Sequence, residues 1–127
     1  MLCGNLGGAC ACRLARAVEK LPNLEEIHVA GNKLVALPEG VYTHASLRYV
    51  NARGNCLGDG VREELATWQR RRKRGRDGPS PVEVVVDRLR ASTLVRIDLR
   101  DNGFDGATHE ALAKAADELR GRVEIIL

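Results

Sequence analysis

Residues 24–34 read LEEIHVAGNKL, and the rest of the chain is built on that spacing. Apolar side chains fall at Leu24, Ile27, Val29 and Leu34, with Asn32 between the last two. The same frame returns as Leu47, Val50, Ala52, Asn55 and Leu57, and again as Leu94, Ile97, Leu99, Asn102 and Phe104. A short strand alternates its side chains, so Ile27 and Val29 point to one side and Glu26, His28 and Ala30 to the other. Leu24 and Leu34 lie beyond the strand, where the chain turns inward. One such unit buries too little apolar surface to stand alone, whereas stacked units bury a continuous core.

The asparagine has a separate job. A sharp turn leaves backbone groups unpaired, and a buried Asn side chain can satisfy them while bonding the neighbouring unit. Asn5, Asn32, Asn55 and Asn102 are expected to form such a ladder. They lie 27, 23 and 47 residues apart. The first two intervals are ordinary repeat lengths, and the third is either two repeats or one long one.

On these residues the chain resembles the leucine-rich repeat family. The resemblance implies an α/β fold, a curved solenoid with a parallel sheet inside and helices or irregular segments outside. It implies one domain over residues 1–127, with a basic insertion at about 70–80. Two subclasses are mixed. Asn5-Leu6-Gly7-Gly8 followed by Leu14 to Val18, and Asn55 followed by Leu57 to Ala66, resemble the ribonuclease-inhibitor-like repeats, in which a helix follows each strand. The connection LVALPEGVYTHASL after Asn32 resembles the typical short repeat. The family's mode of action is binding, so the resemblance implies another protein or a larger assembly as partner, and no cofactor.

Composition narrows the class further. Trp, Phe and Tyr total 3% of the chain, so the core must be built of Leu, Val, Ile and Ala. The formal net charge is +3, but Arg70, Arg71, Arg72, Lys73, Arg74 and Arg76 carry six positive charges, and the remainder is mildly acidic. Any affinity for RNA rests on that run, read as a loop. The four cysteines, Cys3, Cys10, Cys12 and Cys56, contain no C-x-x-C pair and no nearby His. They predict reduced thiols rather than disulfides or a zinc site. No apolar run reaches membrane-spanning length and the N-terminus lacks a secretion signal. An intracellular protein, cytoplasmic or nuclear, with no membrane contact, is expected.

Along the chain, Leu2-x-x-Asn5 starts inside a repeat without a polar cap; a fragment, a frayed first coil and a partner-covered end each fit that start. Residues 9–21 predict a helix with Ala11, Leu14, Val18 and Leu21 inward. Residues 61–74 predict a second, burying Val61, Leu65 and Trp68. Ser80-Pro81-Val82-Glu83 has the form of a capping box, which predicts a helix with Val82, Val85, Val86 and Leu89 on one face. The alternative is an extra strand over Val82–Val86, because the run is β-branched. A helix from Gly106 carries Ala111, Leu112, Ala115, Ala116 and Leu119 inward and ends at Gly121. Val123, Ile125 and Leu127 then alternate as a final strand, whose outer edge needs a partner.

No catalytic pair, phosphate loop or calcium loop is present. The expectation is a non-enzyme without metal, cofactor or small-molecule substrate. Stacking the repeats aligns Glu26, Tyr49 and Arg96 in one outward column. His28, Asn51 and Asp98 form the next, and Ala30, Arg53 and Arg100 the third. Tyr and Arg are common interface anchors. The first reading is a protein-binding or scaffold module that uses this concave face or its open ends. The alternative is a ribonucleoprotein component docked through residues 70–76.

Overall fold

Strands of three residues recur at Glu26–His28 (β1), Tyr49–Asn51 (β2), Arg96–Asp98 (β3) and Glu124–Ile126 (β4). The computed structural model of the chain describes residues 11–75 and 78–127. The four strands form one parallel sheet in the order β1-β2-β3-β4. Each central residue, Ile27, Val50, Ile97 and Ile125, is buried, and the four are register partners across the sheet. Parallel neighbours require crossovers, and here these are mostly helical. Helix Ala11–Lys20 (α1) precedes β1, and Glu39–Thr43 (α2) joins β1 to β2. Leu57–Lys73 (α3) and Pro81–Ala91 (α4) together join β2 to β3, and Gly106–Glu118 (α5) joins β3 to β4. The class is mixed α/β, as expected.

β2 pairs directly with β3, and no strand lies between them among the described residues. The segment over Val82–Val86 is helix, as the capping box predicted. The Ser80 hydroxyl accepts from the Glu83 N–H at 3.3 Å, and the Glu83 carboxylate accepts from the Ser80 N–H at 3.2 Å. Pro81 occupies the first turn, where its missing N–H costs nothing. The 47-residue interval is therefore one long unit with two helices.

Packing of those two helices is unequal. α1 lies against α2, α2 against α4, and α4 against α5, while α3 packs on α4 outside that row. The first turn of α3 is wedged between neighbouring loops. A Cβ on Gly58 would stand 2.3 Å from the Gly103 carbonyl oxygen, and one on Gly60 would stand 1.8 Å from that of Val35. This corrects the expected 61–74 helix. It starts at Leu57, buries Leu57, Gly58 and Gly60, and leaves Val61, Leu65 and Trp68 half-buried. Leu21 is a second correction: it follows α1 rather than ending it, and is 49% exposed.

Between the sheet and the helices lies one core of Leu14, Val18, Leu34, Leu47, Val50, Leu89, Ile97, Leu99, Leu119, Val123 and their neighbours. Asparagines tie the turns beside it. Asn55 Nδ2 donates to Ala52 O in its own turn and to Val29 O of the previous unit, at 2.9 and 3.0 Å. Its Oδ1 accepts from the N–H groups of Asn32 and Leu34, both at 3.0 Å. Asn102 repeats the arrangement one unit on, with Nδ2 donating to Leu99 O and Ala52 O and Oδ1 accepting from Leu57 N–H. Asn32 Nδ2 donates to Val29 O at 2.9 Å. The expected first rung, Asn5, lies outside the described residues.

Candidate interaction surface

A three-residue strand with its middle side chain in the core must point its first and third side chains away from it. The sheet therefore carries outward rungs. One is Glu26–Tyr49–Arg96–Glu124 and the next is His28–Asn51–Asp98–Ile126. The third, Ala30–Arg53–Arg100, continues the register past the strand ends. There Gly31 N–H donates to Arg53 O and Gly54 N–H to Arg100 O, each at 2.9 Å. All eight expected contact residues, Glu26, His28, Tyr49, Asn51, Arg53, Arg96, Asp98 and Arg100, lie on this one face. β4 extends the columns with Glu124 and Ile126, which follow directly from the alternation of Val123, Ile125 and Leu127. Asp101 joins the rim from the turn after β3, in a left-handed conformation with φ 58°.

The side chains on this face are partly bound to one another. Arg96 Nε donates to Glu124 at 3.0 Å, and Arg53 Nε donates to Asp101 at 2.9 Å. His28 and Tyr49 meet edge to face, with ring centroids 5.3 Å apart. Asn51 and Asp98 play one role in successive strands: each side-chain oxygen accepts the backbone N–H two residues on, from Arg53 and Arg100. Asp98 is the exception to the expected exposure. It is only 3% exposed, because Arg100 folds back over it. The Arg100 guanidinium donates to both carboxylate oxygens, at 3.0 and 2.7 Å. That contact holds the Asp98 carboxyl below the usual aspartate range and pushes the Arg100 guanidinium further up. Asp98 therefore shapes the surface from beneath, and Arg100 presents it.

The basic run corrects the expected loop. Arg70, Arg71, Arg72 and Lys73 form the last turn of α3, and Arg74 is its C-cap. Arg, Gln and Lys are good helix formers, and cations at a helix C-terminus oppose the negative end of its dipole. Arg76 lies outside the described residues. The five described cations are exposed. Arg72 stacks over the Trp68 ring at 5.2 Å, and Trp68 Nε1 donates to Gly78 O at 3.1 Å, which ties Gly78 back to the helix. None of the five forms a salt bridge among the described residues, in contrast to Arg53, Arg90, Arg96 and Arg100.

No protein-family model, curated protein or solved structure matches this chain. The chemistry of the surface has to speak for itself. Among the described residues no group of three or more His, Cys, Asp or Glu side chains gathers in a metal-binding cluster. No described helix is long and apolar enough to cross a membrane. What the exposed sheet face offers is a polar field of mixed charge around one aromatic pair, held by short strands whose backbones are fixed by the sheet and by the asparagine turns.

Proposed function

We propose that the chain is a leucine-rich repeat solenoid of mixed subclass that acts as a non-catalytic protein-binding or scaffold module inside the cell. The observation that carries this reading is the register itself. Seven polar or aromatic side chains from three successive strands and the residues just after them stand on one face, with Asp98 buried beneath Arg100, while the central strand residues fill the core. Such a face presents side chains on rigid backbone, which limits the entropy lost on binding. Tyr49 and His28 supply an aromatic centre, with Arg53, Arg96 and Arg100 around it. The test is capture of partners from nuclease-treated lysate by the wild-type chain, Tyr49→Ala and Arg53→Glu. Partners held by the wild type and released by both variants support the face. Partners retained by both variants exclude it.

A second reading follows from the five uncompensated cations at the end of α3. Cations without a carboxylate partner keep their charge available for phosphates, which favours an RNA-bound assembly docked through this helix end. Its test is RNA binding against salt concentration. Replacing Arg70, Arg71 and Arg74 by Gln should reduce the steepness of the salt dependence by about two to three phosphate contacts. An unchanged salt dependence removes this reading.

A further inference from the structure

A cavity of about 70 Å³ lies between the sheet and helices α3, α4 and α5. Leu57, Val61, Val85, Leu99, Phe104 and Leu112 give it apolar walls. These walls are not free to collapse on one another. Gly60 meets the Val35 backbone with no room for a Cβ, and Gly58 meets that of Gly103 in the same way, so the first turn of α3 is held where it stands. On the opposite side Ile97 belongs to β3, which is paired on both edges. Val61 on α3 and Val85 on α4 therefore line a gap and stay half-buried, and they mark the side from which it is reached.

The lining makes no demand for a polar guest. Among the described residues no buried side-chain nitrogen or oxygen lacks a hydrogen-bond partner. The two charged residues of the lining are placed elsewhere: the Arg88 guanidinium lies over the Tyr42 ring, 5.9 Å from its centroid, and Glu64 is exposed. A trapped water needs about two to four polar partners, and an apolar cavity without them stays dry and takes apolar guests. The atoms that line such a void forfeit dispersion contacts on one side, and a guest restores them.

We propose that this cavity binds a small uncharged apolar molecule, seated between Val61, Val85 and Leu112. Its size follows from the space. The cavity is about half the volume of the ~150 Å³ cavity that holds benzene, which sets the guest at about three or four carbons. The pocket is already formed, so binding costs little reorganisation. The guest touches α3 on one side and α4 and α5 on the other, and so tightens the seat of α3. This site is separate from the strand face and does not depend on the reading given above.

The probe is isobutane, followed by NMR of the backbone amides and methyl groups. Acetone, with as many heavy atoms, is the polar match. Saturable shifts are expected at Val61, Val85 and Leu112, with affinity roughly tenfold better for isobutane than for acetone, whose carbonyl finds no donor there. Val85→Leu takes up part of the space and should weaken isobutane binding roughly tenfold, and Val85→Phe, which fills more of it, should abolish binding. If a variant fails to fold by circular dichroism, the two ligands on the wild-type chain decide alone. Absence of saturation by isobutane, acetone bound as tightly, undiminished binding by a folded Val85→Phe chain, or shifts confined to other residues would overturn the proposal.

Discussion

Arg100 closes over Asp98, two residues before it in the chain, and the pair converts an outward strand position into a buried carboxylate. The guanidinium supplies two hydrogen bonds and the Arg100 backbone N–H a third, so three donors meet one side chain. Asp98→Asn keeps the shape but loses the charge. Its expected cost is about 1–3 kcal/mol, the usual value of a charge-assisted hydrogen bond. Asn51→Asp is the converse and should be nearly neutral, because Asn51 already makes the same backbone contact at a more open site. Urea unfolding of the two variants checks the contrast.

The asparagine ladder predicts a larger loss. Asn55→Leu removes the acceptor of the Asn32 and Leu34 N–H groups, and leaves Val29 O and Ala52 O only their second donors, Asn32 Nδ2 and Asn102 Nδ2. Each buried group left unpaired costs about 1–3 kcal/mol, so the variant should lose about 3 kcal/mol or more. A loss below about 1 kcal/mol in chemical unfolding would mean that water takes over the role of the side chain.

Two glycines should respond in opposite directions. Gly60→Ala would place a Cβ against the Val35 carbonyl, a rigid neighbour, and should cost about 2–3 kcal/mol through forced displacement of α3. Gly106→Ala meets nothing within 4 Å at the start of α5 and should be neutral or stabilising by up to about 1 kcal/mol. Paired thermal melts read both.

Titration gives stability limits at both ends of the pH scale. Burial is the main cause that pushes the Tyr42 hydroxyl up to about 12 from 10.0, against the opposing pull of Arg88. The folded state therefore holds this proton more tightly than the unfolded chain. The resulting stability is complete below pH 10 and is lost as pH rises toward 12. The loss is about 2–3 kcal/mol. Tyr42→Phe should flatten that part of the alkaline unfolding profile. Asp98 and Asp105 act in the opposite sense, since both are held below their ordinary value of 3.8. Asp98 is held by the Arg100 guanidinium, and Asp105 mainly by the Thr108 N–H at the start of α5. Their contributions are complete above that value and fall away as pH drops below it. The acid limb of Asp98→Asn should be shallower than that of the wild type.

Much of the interaction face was legible before the fold was known. The strand columns follow from the two-residue alternation around Ile27, Val50 and Ile97, and the paired register matches them residue for residue. α4 was legible from Ser80 and Glu83, because a capping box is a local device. Burial of Asp98 was not legible, since an aspartate at an outward strand position carries no mark of the arginine that will cover it. The basic run misled for a related reason. Its charge suggested a solvated loop, against the helix expected over 61–74, and it is the helix that the structure shows through Lys73.

By itself the sequence determined the features that repeat locally: where the chain extends, where an asparagine closes a turn, and which strand residues face inward. Those depend on spacing over a few residues and on side-chain alternation. The tertiary structure alone decided that α3 stands outside the main row of helices. It also decided that Gly58 and Gly60 touch foreign backbone, and that Tyr42 and Arg88 share a cavity. These depend on how two helices of one long unit divide a space that a single helix would fill. Steric contact between segments far apart in the chain makes that division, and no local pattern encodes it.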